Sequence, residues 1–494
     1  MRSIFQRIEH NNAVPRGTPG HGFGGYFQTN IGNGSLYNAS PGTIAVLKSQ
    51  VRSIGGDPEK VIEMVGSDGN FLSPDRDKTQ GLWGLTFHAD SKWQRFSSRT
   101  YVLDTLAAKN ADGTQKYPLT LSTHSLATKV LFDKAHSHDA RSGKDDHKPK
   151  AIGVEYLKGE AIYKADARNK PANKGELKQV FASKEVIIAG GTFNSPQLLQ
   201  LSGIGDKADL EKVGIKVVAN LPGVGRNLQD NQEMPIVGHA KTDFNTIPYV
   251  GDPVCAFGTP NDPCLAAWKN GTGPYMRTAS NSNAMILKSK HAVEDERDLF
   301  IFSLTGAFRG FWPSQNVVAQ PPFDTPNTFG FSMVKMHSQN KAGYVKLRSA
   351  DPTDPPLISF NHYGTGAETD IGAFMDTVAW GRKVMAAVEA PYGPLTTIEP
   401  PCPQGPDANG SCGDADREWI KGQTFGHHPT STCAIGADDD PMAVLDSKFR
   451  VRGVEGLRVV DASVFPRIPG AFPVVATFMV SQKAADVIIG ERTA

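Results

Sequence analysis

The sequence has almost no excess of charge: 52 Lys and Arg stand against 51 Asp and Glu, for a net charge of +1. A chain so balanced has no basic field to gather nucleic acid or an acidic membrane surface. It has no run of the ~20 apolar residues a membrane helix needs. Its longest late apolar stretch, Phe472 to Val480, is broken by Thr477 and followed by Ser481, Gln482 and Lys483. Internal repeats are absent. The opening residues, MRSIFQRIEHNNAVPRG, lack the apolar centre of a signal peptide.

Cysteine is sparse, with five in 494 residues, yet four of them fall in close pairs. Cys255 and Cys264 share one Pro/Gly/Asp-rich segment, and Cys402 and Cys412 share another. Such pairs in polar, irregular segments suit small disulfide loops and an oxidising compartment. Cys433 is left over and expected to be buried. Four N-x-S/T sequons, at Asn33, Asn38, Asn270 and Asn409, could carry glycans or arise by chance. Together these features favour a secreted protein.

The length allows two or three domains, and the 39% hydrophobic and 21% charged residues are ordinary for a globular chain. Residues 1 to about 90 are rich in Gly, Asn, Ser and Pro. Strand-type runs follow at Tyr117–Phe132, Ala151–Leu157 and Gln179–Ala189. The last ends fully apolar, which predicts a sheet covered on both faces. Ser195 then caps a helix expected to begin at Pro196. Further elements are expected at Leu299–Leu304, Gly343–Leu347, Asp370–Ala390, Leu457–Asp461 and Pro473–Ile489. The Lys134–Lys150 stretch, with His136, His138 and His147, reads as a solvated loop because its spacing fits no tight ligand pattern. No metal site is expected.

The chemistry-bearing segments begin at AGGTFNSPQLLQLSGIG, residues 189–205, where a buried strand ends in Gly190-Gly191 and lets something approach the backbone closely. GIKVVANLPGVGRNLQD (214–230), HHPTSTCAIG (427–436) and VVDASVFP (459–466) follow in order. These four blocks resemble those of the GMC (glucose–methanol–choline) FAD-dependent oxidoreductases, of fungal type. Where the family continues Asp-His, this chain has Asp230-Asn231.

The resemblance implies an α/β fold: an FAD/NAD(P)-binding Rossmann-like domain, interrupted by a substrate domain with a mixed sheet. It divides the chain into 1–92 (substrate-domain part and N-terminal remnant), 93–240 (FAD-binding part), 241–445 (substrate domain) and 446–494 (FAD-binding C-terminal part). It implies FAD as cofactor, near Ala127, Gly190, Gly191, Asp461, Ala462, Pro473 and Val474. The last helix would turn its N-terminus, with Val474 or Val475 donating, toward the negative charge of reduced flavin.

The resemblance also implies the reaction. His428 would take the hydroxyl proton of an alcohol while hydride passes to flavin N5, with oxygen or another electron acceptor closing the cycle. An imidazole with an ordinary pKa of ~6.5 suits that task. His427 reads either as a pocket residue or as packing, since adjacent side chains usually point apart. Counting back from Asp486, the family's second catalytic residue, His or Asn, falls on Phe472. Phenylalanine neither donates nor accepts a proton, so a second hydrogen bond is expected from elsewhere, His427 being one source, or not at all.

The family's opening strand, Gly-x-Gly-x-x-Gly turn and helix find no match. Gly20-His21-Gly22-Phe23-Gly24-Gly25 follows no apolar strand and resembles the later HG-x-x-G block. The sequence thus reads as a fragment whose parent carries the missing βαβ segment and a signal peptide. Neighbouring strands are expected to lose ladder partners and expose apolar faces. The chain alone is expected to hold FAD weakly or not at all. Two further readings stay open: a non-oxidative lyase or cyclase on the same scaffold, and an inactive or binding protein. Phe308, Phe311, Trp312, Phe329 and Phe331 could line an aryl or sugar site; core filling is the simpler reading.

Overall fold

The computed structural model describes residues 1–133, 148–244, 255–256, 259–273, 275, 283–311 and 324–493. His136, His138, His147 and Trp312 lie outside them. The chain forms two compact units: residues 1–119, 232–336 and 368–426, and residues 120–231, 337–367 and 427–494. Compared with the sequence division, residues 93–119 and 232–240 fall in the first unit, and residues 337–367 and 427–445 in the second.

The first unit is built on a seven-stranded sheet. Its path runs Thr396–Glu399, Gln232–His239, Thr328–Lys335, Leu299–Thr305, Asn283–Leu287 and Gly81–Gly84, with Phe425–Gly426 also pairing to Gln232–His239. Every pair in it is antiparallel. Mixed pairing occurs in a small three-stranded sheet of the same unit, where Glu9–Asn11 runs parallel to Phe27–Ile31 and Phe27–Ile31 antiparallel to Thr86–Phe87. All eight residues of Thr328–Lys335 are buried, so both faces of that strand are covered. The helix Ala367–Ala386 supplies one cover, with Gly381 so close to Ile236 that a Cβ there would lie 2.5 Å from its Cδ1. Phe329 and Phe331 are fully buried and fill this core, whereas Phe311 is exposed.

In the second unit a three-stranded antiparallel sheet (Ser125–Phe132, Ala151–Lys158, Glu176–Phe181) stands beside a parallel pair, Val186–Ile188 with Leu457–Val459. The expected strand 179–189 is therefore two strands, separated by a turn around Ser183-Lys184. Its apolar end is not covered on both faces. Val186 and Ile188 enter the core, but Ile187, pointing the other way as strand alternation requires, is 46% exposed. Among the described residues Val186–Ile188 pairs only with Leu457–Val459. Leu177, Val180 and Phe181 are exposed as well. Val130, Leu199, Cys433, Val459, Val464 and Val480 knit the core of this unit.

Candidate functional site

Three of the sequence blocks meet inside the second unit. The helix that carries the first is Gly191–Leu201, five residues earlier than expected, and Pro196 lies inside it. Ser195 is thus no cap. Its buried hydroxyl accepts the Gly190 N–H at 2.9 Å and donates to Asp461 Oδ2 at 2.6 Å. The same carboxylate oxygen accepts the Gly191 N–H at 3.0 Å, while Oδ1 accepts the Ser463 N–H at 2.7 Å. Asp461 therefore places a negative charge at a helix N-terminus, where the dipole favours it, and both of its oxygens hold protein groups. Ala462 follows in the short 3-10 turn Ala462–Val464.

The segment 427–436 is fastened to both neighbours. Thr432 Oγ1 donates to the Thr192 carbonyl (2.6 Å) and Thr192 Oγ1 to that of Pro429 (2.8 Å). The N–H groups of Ser431, Cys433 and Ile435 donate to the carbonyls of Ala462, Ser463 and Val464. Cys433 is fully buried, and burial pushes its thiol up, so it is inert as a nucleophile.

His428 sits at the start of this fastened segment. Its backbone N–H donates to Asp230 Oδ1 at 2.7 Å. Its Nδ1 is buried without a hydrogen-bond partner among the described residues. Burial, aided by the neighbouring His427, pushes the imidazole down to about 3. The ring is thus a neutral base with a free nitrogen lone pair or N–H, depending on tautomer. His427 does not point away. The two rings lie 4.0 Å apart between centroids with 30° between planes. The strand Phe425–Gly426 ends before them, so strand alternation does not govern their directions.

Phe472 completes the group, its ring 5.0 Å from that of His428 and at 79° to it. Its φ is +55°, a left-handed backbone that a bulky residue adopts at a cost. Next to it, Pro473 is buried and the last helix runs Val474–Thr493, with Val474 44% exposed at its first turn. The three expected catalytic positions are therefore together.

Ala127 and Gly190 share a groove of ≈280 Å³ that is also lined by Ser125, Ile187, Asn194 and Pro352. A Cβ built on Gly191, whose φ is +80°, would meet nothing within 4 Å. Gly191 thus faces open space, whereas a Cβ on Gly190 would lie 3.2–3.3 Å from Ser195 N and Asn194. The groove falls short of the ~300–1,000 Å³ of a full small-molecule site. Gln229-Asp230-Asn231, which the sequence marked only by block resemblance and by Asn where the family has His, are all three buried.

This mixed α/β fold is that of the flavin-dependent oxidoreductases. Residues 77–233 and 339–481 match the N- and C-terminal GMC oxidoreductase family models, and the chain belongs to that family. It is 32% identical over 419 residues to the mitochondrial choline dehydrogenase of Homo sapiens, an alignment covering 83% of this chain and 59% of that one. The oxygen-dependent choline dehydrogenase of Vibrio vulnificus is 35% identical over 331 residues, covering 64% of this chain and 53% of that one. The chain thus spans little more than half the length of these curated relatives. Among solved structures, formate oxidase of Aspergillus oryzae RIB40 superposes with a TM-score of 0.72 at 19% identity, covering 100% of this chain and 78% of that one. A fungal aryl-alcohol oxidase gives 0.65 at 19% identity, covering 100% and 79%.

Both expected disulfides form, with Cα–Cα separations of 5.2 Å for Cys255–Cys264 and 6.0 Å for Cys402–Cys412. No helix of the described residues is long and apolar enough to cross a membrane.

Proposed function

We propose that this chain supplies the catalytic half of an FAD-dependent alcohol oxidoreductase in which His428 is the base. The observation that carries this reading is a neutral, half-buried imidazole whose Nδ1 has no hydrogen-bond partner among the described residues, on a segment that five hydrogen bonds fasten to the Gly191 helix and the Asp461 turn. When bound, FAD supplies the acceptor for the hydride of an alcohol carbon. His428 takes the hydroxyl proton; burial keeps its ring neutral throughout the physiological range, although a ring pushed down to about 3 is a weaker base than an ordinary imidazole. Ala127, Gly190, Gly191 and Ala462 are the positions proposed to flank the cofactor, and the first turn at Val474 offers backbone N–H groups that no helical partner satisfies. Asp461 acts by holding Gly191 and Ser463 rather than by touching the cofactor with its carboxylate.

The electron acceptor is oxygen or another small oxidant, and the disulfides and sequons support a secreted glycoprotein. A second reading, a scaffold used for lyase or cyclase chemistry, draws on Phe472, which offers no proton relay. A third, a chain unable to hold FAD, draws on the open groove and the exposed Ile187. A visible spectrum with excess FAD separates them. A bound flavin band that bleaches under a primary alcohol supports the first, a bound band that never bleaches the second, and no bound band the third.

A further inference from the structure

Three consecutive buried residues, Gln229, Asp230 and Asn231, each hold a different part of the His428 site, and each does so through its own groups. Gln229 exchanges backbone hydrogen bonds with Thr430 (3.2 and 2.9 Å), and its Oε1 accepts the Ile468 N–H at 3.2 Å. Asp230 accepts the His428 N–H on Oδ1, and its carbonyl accepts the Ser338 hydroxyl at 2.7 Å. Asn231 donates from Nδ2 to the Gly470 carbonyl at 2.8 Å, two residues before Phe472. Gln229 is 1%, Asp230 4% and Asn231 0% exposed.

Burying three polar side chains in a row costs free energy unless each is hydrogen-bonded. The three side-chain bonds, at Gln229 Oε1, Asp230 Oδ1 and Asn231 Nδ2, reach the two loops that carry His428 and Phe472.

We infer that Gln229-Asp230-Asn231 is a strap that sets the His428 and Phe472 rings against each other, with Asp230 as the positioning residue for His428. The inference rests on the reading of His428 as the base only for its functional meaning; the strap itself is a structural claim. The mechanism is direct. The Asp230 carboxylate takes the backbone N–H of His428 on Oδ1, which removes the freedom of the loop to turn the imidazole out to water. Asn231 does the same for the loop leading to Phe472. Loss of the first bond frees His428, and loss of the second frees Phe472.

The test uses the purified chain of residues 1–494 and needs no flavin. Amide hydrogen exchange at His428 and the NMR titration of its ring are followed in wild type, Asp230→Ala, Asp230→Asn and Asn231→Ala. In Asp230→Ala the His428 amide is expected to exchange roughly 10- to 100-fold faster, the cost of one hydrogen bond to a charged acceptor. Its ring is expected to titrate closer to the ordinary ~6.5. Asp230→Asn keeps an acceptor oxygen and is expected to restore slow exchange. Asn231→Ala is expected to leave the His428 amide protected while the Gly470–Phe472 amides speed up. If Asp230→Ala does not fold, the contrast between the other two variants carries the test. Unchanged exchange and titration in Asp230→Ala, or equal acceleration of both loops in Asn231→Ala, overturns the strap. Failure of the alcohol reaction with the exchange pattern intact instead counts against His428 as the base.

Discussion

Phe472 meets His428 edge to face, the ring centroids 5.0 Å apart, from a backbone held at φ +55°. Asparagine adopts that backbone far more readily than phenylalanine, and it carries both a donor and an acceptor. Phe472→Asn is expected to relieve strain of the order of 1 kcal/mol. It is also expected to raise turnover of any alcohol the protein oxidises, by giving the substrate oxygen a second hydrogen bond. Thermal melts and initial rates check both. A Phe472→Val variant, β-branched at the same φ, is expected to be the less stable of the two.

The pH dependence of the chemistry follows from His428. Burial, with His427 beside it, pushes the ring down to about 3, so the base is unprotonated throughout the neutral range. The acid limb of kcat/KM is therefore expected well below pH 6, and a break near 6.5 would mean a solvated imidazole.

Stability should fall in acid through His362. Its ring stacks on Phe360 at 5.4 Å, and burial pushes it down to about 4. In the unfolded chain the same ring takes up a proton near 6.5, so unfolding gains protons between these values. Stability present above pH ~6.5 is lost as pH falls toward 4. Denaturant melts across this window are expected to show a shallower decline in His362→Gln than in wild type.

Asp461 joins two of the motifs by three hydrogen bonds from Gly191, Ser195 and Ser463. Asp461→Ala removes them all and strands buried donors, at about 2–4 kcal/mol. Asp461→Asn is expected to lose less, because it keeps acceptor oxygen but not the charge at the helix N-terminus. Urea titration of the three proteins gives the order.

In the other unit, Arg382 forks onto Asp416, with 2.7 Å and 2.6 Å bonds, and also donates to the carbonyls of Gly410 and Pro400. It ties the helix Ala367–Ala386 to the Cys402–Cys412 loop. Arg382→Lys cannot form this planar fork and is expected to destabilise markedly. Arg382→Ala is expected to cost about 3–5 kcal/mol by leaving Asp416 buried and unpaired. The melting temperatures of the two variants check the order.

Sequence motifs carried much of this site because their chemistry is local. Gly190-Gly191 and the His427–Ile435 block are short runs whose residue types state their purpose. The roles of Ser195, Asp230 and Asn231 were not legible, because each acts on a partner more than 190 residues away along the chain. Helix starts were misread where a capping residue and a proline coincide: Ser195-Pro196 mimics an N-terminus, yet Asp461 starts that helix at Gly191 from across the fold. Likewise an apolar strand end at Val186–Ile188 implied two covered faces, and the exposed Ile187 shows one.

The most direct test of the central claim compares protein-bound flavin in wild type and His428→Ala, loaded with excess FAD and mixed anaerobically with primary alcohols. The account predicts that alcohol bleaches whatever flavin the wild type holds under excess FAD, and that His428→Ala bleaches its bound flavin at least about 100-fold more slowly. Equal bleaching in the two proteins would contradict it.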